Sequence, residues 1–515
     1  MTVVLNRRRD FTLEAFRRVA FAGEDVEIGP VARGAMAAAR HGFETLLDSD
    51  RSAFIYGTTT RPGIEVSTPV APESQREFAR SFRADTGYGF GGGCHDEQVV
   101  RGMVLARLAD FVEGHAKVRP ELAEHVAALL RSPMPCVPLN GQAGPGEILP
   151  MLHLLRVLDG LEFEEGEGMA LMNGSPYSTA VLGDTAIRAR NRLAQAEIVL
   201  ALSADAFGAP LEAYDEALED LWDDQHQVAA LRALRGHLAG ATVTGRLGHQ
   251  APVSFRILPR LLGEARRAVA AAEQAAAAAL RSVSVNPVYL PPDHGHPFGR
   301  VASNGGFHNA TASPALASLA SSWAELALAA ERHIACFHRG PAYGLPHLLS
   351  PPGYRGAISG ATSLFGWSVT SYVETARAAA TPALMPAVIV DTQNDLATAT
   401  SLAHQKERQA AGALGGALAI LALVASQALF VTGREPAPPL TELVAGIRSV
   451  FPPVERPHGR DLGAQAGVLA GVIRAGAATG RLDFAAPAPA PEQGRASAAD
   501  TGPAAAGTAD ALRAD

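Results

Sequence analysis

Pro138–Ala180 reads PLNGQAGPGEILPMLHLLRVLDGLEFEEGEGMALMNGSPYSTA. Two glycine-rich turns, Asn140–Gly146 and Asn173–Ser175, bracket a helical run that starts near Glu147. Glycine tolerates positive φ and lets another stretch of backbone approach closely. Both turns therefore read either as places where the main chain shapes a site or as ordinary surface loops.

Outward from this stretch the sequence is helical in pattern. Apolar residues recur at helical spacing over Gly29–Leu47, Glu97–Gly114, Glu121–Arg131, Ile187–Leu202, Leu211–Leu238, Leu258–Val283, Ala315–Cys336, Ala357–Ala380 and Leu396–Val431. Alanine dominates the long runs and favours helix over strand. Alternation that suits a strand is confined to short runs such as Thr242–Thr244 and Ser282–Tyr289. The expectation is a mainly α protein with long helices in a bundle. Gln409–Gly433 carries no charge and is long enough to cross a bilayer. Its Ala and Gly content and the polar run before it favour the buried centre of a bundle, with no membrane partner.

The 515 residues are 47% hydrophobic and 19% charged, ample for a large core, and the net charge of −8 argues against a nucleic-acid partner. Met1–Asp10 has three arginines and no long apolar core, unlike a secretory signal. Cys94, Cys136 and Cys336 are far apart with no CxxC, so neither a disulfide framework nor a zinc site is expected, and the reducing cytoplasm is the default. Beyond about Ala485 the chain is rich in Ala, Pro and Gly with almost no large apolar residue, so 484–515 is expected to be a disordered tail.

The two turns and the helix between them resemble the core of the histidine/phenylalanine/tyrosine ammonia-lyase family. That family carries an Ala-Ser-Gly triplet in a segment like GSVGASGDLAPL, then a segment like EGLALINGT. Glu167–Ser175, EGMALMNGS, is similar to the second, and Asn140–Met151, NGQAGPGEILPM, to the first. Pro150 falls on the family proline and Glu147 on its aspartate, so the triplet becomes Gly144-Pro145-Gly146. In the family the triplet cyclises, and its serine loses the hydroxyl to give the electrophilic methylene called MIO. Pro145 has no β-hydroxyl, and its nitrogen is closed into a ring. The resemblance thus implies the family fold without its electrophile, and no cofactor is expected.

Other segments carry the resemblance across residues 1–483, with an N-terminal part to about 180, small, irregular and partly β, and a helical bundle after it. Tyr56–Thr60 with Gly63 is similar to the family's YGVNTGFG loop, which puts Tyr56 on the catalytic tyrosine. Gln75–Ala84 resembles QRNLxxSHAAG, where Ser81 and Phe82 fall on the pair that sets ring specificity. Gln250–Arg256 resembles QDPYSLR, with Arg256 on the arginine that holds a substrate carboxylate and Val253 in place of a tyrosine. Ser303–Asn309 resembles SGGNFHG and offers Phe307 as a pocket wall. Gln393-Asn394-Asp395 resembles a Gln-Glu-Asp triplet, and Asn173 falls on the asparagine near the electrophile.

A phenol base, a carboxylate clamp and a shaped pocket suffice for β-elimination when the leaving group needs no electrophile. A quaternary ammonium leaves as a neutral amine, and the family includes a MIO-free branch of the ergothionase type. The reading is a MIO-independent C–N lyase acting on a small aromatic or cationic amino-acid-derived carboxylate, or running the reverse conjugate addition, with Tyr56 as base. The alternative is a non-catalytic homologue that binds a small aromatic acid or a partner protein. The resemblance further implies a homotetramer whose sites are shared between subunits.

Overall fold

A computed structural model describes residues 2–82, 92–158, 161–354, 361–388, 393–456 and 461–485. Most of the tail expected to be disordered, 486–515, lies outside the described residues, as does 357–360 of one expected helix.

The molecule is built round Thr400–Thr432, a helix of 33 residues, about 50 Å at 1.5 Å per residue. It packs against Ala312–His338, Phe365–Ala379, Pro176–Phe207 and Leu462–Thr479, and Leu258–Arg281 packs on both Pro176–Phe207 and Ala312–His338. Ala410–Leu429 has apolar residues on every side and is buried throughout except at Gly412. Among the described residues this is the one helix long and apolar enough to cross a membrane, and its most apolar stretch is 89% buried. A helix surrounded by others needs no polar face, and small alanines let its neighbours come close.

The second core lies in the N-terminal part. It joins Val3, Leu5, Phe16, Val26 and Ile28 to Glu97–Phe111 and to the apolar residues of Ile148–Leu155. Two short strands missed in the sequence pattern, Thr2–Leu5 and Asp25–Ile28, pair in parallel here. Four residues are too few for alternation to stand out.

Several boundaries shift. Pro176 starts the helix expected from Ile187, because proline suits a first helical turn whose N–H has no intrahelical partner. The run Leu211–Leu238 breaks into Leu211–Tyr214, Glu216–Leu221 and Gln225–His237. Asp215 and Asp224 turn their carboxylates onto the backbone N–H groups of Ala217, His226 and Gln227, capping new starts inside the expected helix. Thr242–Thr244 is not a strand, and of Ser282–Tyr289 only the end joins one, Val288–Leu290, paired antiparallel with Arg300–Ala302.

The expectation of unpaired cysteines fails. Cys94 and Cys136 form a disulfide across 42 residues, and only Cys336 is free among the three. The backbone brings them together: His95 N donates to Val137 O at 2.8 Å and Leu139 N to Gly93 O at 3.0 Å. That pairing is tertiary, and spacing along the chain carries no trace of it.

Candidate active site

The two glycine turns meet. Gly174 N donates to Gly146 O at 3.2 Å, and a side chain at Gly146 would find Asn173 Nδ2 at 3.1 Å and Phe307 at 3.7 Å. Gly146 has φ 63° and Gly174 φ 139°, conformations that favour glycine. Gly144 is extended, with open space where a side chain would point. Gly146, next to Gly144 and Pro145, thus meets Asn173 and Phe307 at one junction.

Tyr56 stands on a neighbouring loop. Its phenol oxygen accepts from Gly63 N at 2.9 Å, and Gln393 Nε2 lies 3.5 Å from it while donating to Gly63 O at 2.8 Å. The phenol oxygen thus accepts from Gly63 N, with Gln393 Nε2 beside it. Gly57 is wedged on Met169, four residues before Asn173, which ties the Tyr56 loop to the Glu167–Met172 helix. Asn394 is half-buried beside Gln393.

Phe82 packs over Gly168 of that helix and edge-on to Phe78, with ring centroids 5.1 Å apart. Ser81 spends its hydroxyl on Phe78 O at 2.7 Å. Of the two, Phe82 is the one that touches the Glu167–Met172 helix.

Arg256 and Gln250 are elsewhere. Arg256 is exposed, and its Nε donates to Ala251 O at 3.0 Å; Gln250 is exposed too. Phe255 stacks on His333, 3.6 Å between ring centres, near the C-terminal end of Ala312–His338. Phe307 precedes the N-terminal end of that helix, about 30 Å away along its axis. One chain therefore does not bring Arg256 to the Gly146–Asn173 junction.

The floor of the junction is charged, which pattern reading missed. Glu147 is 1% exposed at φ 50°, and its carboxyl accepts from Ser178 N at 2.9 Å and from the Ser178 hydroxyl, which also meets Thr400 Oγ1 at 2.7 Å. Burial pushes this carboxyl up to about 8, against hydrogen bonds from the Ser178 backbone and the charge of Arg107. Arg107 and Asp110 pair at 3.0 Å, both buried. Burial pushes Asp110 up and Arg107 down, while the attraction between them opposes both. Arginine keeps its proton in proteins, so the guanidinium stays charged. The signal available was the charged pair inside Glu97–Phe111, a helix otherwise read as apolar.

Beside the Cys94–Cys136 disulfide, His95 and Asp96 are engaged with neighbouring side chains. His95 Nε2 lies 3.2 Å from the Tyr177 hydroxyl and its ring stacks on His404, while Asp96 pairs with Arg188 and Arg408. Burial pushes His95 down to about 4 and Tyr177 up, so neither is poised to take a proton near neutral pH.

The chain matches the aromatic amino acid lyase family over residues 11–162 and 158–449. It is 30% identical over 475 residues to a histidine ammonia-lyase of Symbiobacterium thermophilum, covering 86% of this chain and 91% of that protein. It is 28% identical over 376 residues to the histidine ammonia-lyase of Deinococcus radiodurans, covering 67% and 70%. Among solved structures, tyrosine aminomutase from Streptomyces globisporus superposes with a TM-score of 0.79 at 23% identity, covering 93% of this chain and 98% of that one. Ergothionase from Treponema denticola does so with 0.81 at 17% identity, covering 92% and 99%.

Proposed function

The chain belongs to the aromatic amino acid lyase family of C–N lyases, and from that premise we propose that it catalyses β-elimination without MIO. The observation that carries the reading is Pro145, set between Gly144 and Gly146 at the junction with Asn173 and Phe307. MIO does not fit these residues: the hydroxyl to be lost is missing and the proline nitrogen is closed in its ring. No step of the proposed chemistry passes through it.

The substrate is a small amino-acid-derived carboxylate with an aromatic side chain and an amine already quaternised, or with an acidified β-proton. Tyr56, as its phenolate, takes the β-proton and becomes the neutral phenol. The electrons of that C–H bond form the C=C bond, and the C–N electrons leave with a neutral tertiary amine. Phe307 offers an aromatic face to the cation, worth about 0.5–2 kcal/mol. Arg256 holds the carboxylate through its planar fork. Because Arg256 lies about 30 Å along a helix from the junction in one chain, the complete site takes it from another copy, and the proposed assembly is a homotetramer. Residues 1–483 form the lyase part and 484–515 an appended tail.

The test combines mass and turnover. The intact mass should equal that of the unmodified sequence apart from the disulfide hydrogens. The trimethylammonium betaines of histidine, phenylalanine and tyrosine should give a conjugated acid, followed by ultraviolet absorbance, while the free amino acids stay intact. Loss of two waters at Gly144–Gly146, or fast ammonia release from a free amino acid, would overturn the proposal. If nothing reacts yet cinnamate or urocanate binds, the chain is a binder of small aromatic acids.

A further inference from the structure

Beneath the Asn173–Ser175 turn lies a chain of buried polar groups that no step above uses. Arg107 Nη1 donates to Asp110 Oδ2 at 3.0 Å. Asp110 also receives Ser284 N at 2.5 Å and the Ser284 hydroxyl at 3.0 Å. That hydroxyl in turn accepts from Ser175 N at 3.0 Å. Gly174 rests directly on the guanidinium: a side chain there would meet Ser284 Oγ at 2.8 Å and the two terminal nitrogens of Arg107 at 3.1 and 3.2 Å. Gly174 N completes the chain by donating to Gly146 O.

Arg107 Nε and Nη2 and Asn173 Oδ1 have no hydrogen-bond partner among the described residues, although Arg107 is 1% and Asn173 5% exposed. A buried ion pair is a weak source of stability, since desolvation offsets most of the attraction. What this pair does is geometric. It links the Glu97–Phe111 helix, the Ser284 segment and both glycine turns through single contacts of fixed direction.

We infer that Arg107, acting through Asp110 and Ser284, is a positioning residue that sets Asn173 against Gly146 and so fixes the wall of the pocket nearest the reacting carbon. The inference rests on the proposed elimination only in placing the substrate there. The position of the turn itself can be measured without turnover.

The test uses the full chain with Ser284→Ala, Ser284→Thr and Arg107→Lys, and Ser203→Ala as a control, because Ser203 bonds His333 at 2.9 Å inside the bundle. Amide exchange at Gly174 and Ser175 should quicken about tenfold in Ser284→Ala and Arg107→Lys, the loss of one net hydrogen bond. Exchange across residues 184–200 should stay as in the wild type. Ser284→Thr keeps the hydroxyl and should restore the slow exchange. With any betaine that is turned over, kcat should fall about tenfold while KM moves by less than about twofold, since the reacting groups are misplaced and not lost. Unchanged exchange at Gly174 and Ser175 in Ser284→Ala overturns the inference. So does quickened exchange over the whole chain, or an equal effect in Ser203→Ala, for then the network only supports the fold. If Arg107→Lys fails to fold, Ser284→Ala decides alone. If no betaine reacts, the elimination falls while the exchange result still stands for or against positioning.

Discussion

The Thr400–Thr432 helix and the floor under the Gly146–Asn173 junction are buried to the same degree and held by opposite means. Leu418, Leu421 and Leu423 are 0% exposed among alanines and other leucines. Arg107, Asp110 and Glu147, 1–2% exposed, are surrounded by serines, a threonine and backbone. Apolar packing is non-directional and tolerates small shifts of one helix on another. A buried ion or carboxyl tolerates none, because an unmatched polar group costs on the order of 1–3 kcal/mol.

That contrast can be broken most sharply at Tyr56. Tyr56→Phe should lower kcat by about 10²–10⁴-fold, the usual worth of a general base, while thermal unfolding stays within about 1 kcal/mol of the wild type. Steady-state kinetics beside calorimetry would show it, and full activity in the variant would move the base elsewhere.

In the bundle the expectation reverses. Leu418→Ala should cost about 3 kcal/mol of stability, through lost transfer energy and the cavity left behind, with kcat for any accepted substrate nearly unchanged. Denaturant titration measures the first and turnover the second.

Cys94→Ser lies between the two. The disulfide closes a loop of about 40 residues, worth roughly 2–4 kcal/mol in the chain-entropy account. It also ties 93–95 to 137–139, just before the Asn140–Gly146 turn. Unfolding should come earlier by that amount, and a dithiol reductant should reproduce the effect in the wild type and add nothing in the variant.

Glu147 marks the floor by its pH dependence. Below its ordinary value of 4.5 the carboxyl is protonated in folded and unfolded chains alike. Between 4.5 and about 8 only the folded chain keeps the proton, so stability falls as pH rises through that window and is unaffected above it. Glu147→Gln should flatten this slope in melting curves taken from pH 5 to 8. Lys117, which burial pushes down to about 7, acts in the opposite sense from there upward, stability rising with pH, and should be unaltered by that substitution. An unchanged slope in Glu147→Gln would remove the carboxyl from the account.

The smallest effect is expected at the exposed Arg256. Arg256→Lys keeps the charge and loses the planar fork, so KM should rise by about tenfold with kcat little changed. A fall in kcat with KM constant would contradict a clamp.

Much of this was legible in the residues. The helices of the bundle show in the apolar spacing, and the junction shows in two glycine turns whose neighbours resemble a known family. Tyr56 meets Gly63 and Gln393, and Gly146 meets Asn173 and Phe307. The break at Asp215 and Asp224 was hidden because an aspartate fits equally on the solvated face of a helix and at its cap. The Cys94–Cys136 pair was hidden because nothing local forces two cysteines 42 residues apart to meet.

The sequence by itself determined the mainly α architecture, since periodicity and alanine content are local properties, and it set Pro145 between Gly144 and Gly146. Only the tertiary structure decided that Arg256 and the junction lie apart in one chain, and that Arg107, Asp110 and Ser284 share one buried contact. A helix pattern records which face is apolar. It does not record which distant backbone atom will satisfy a buried charge, because that depends on segments far apart in the chain packing at one place.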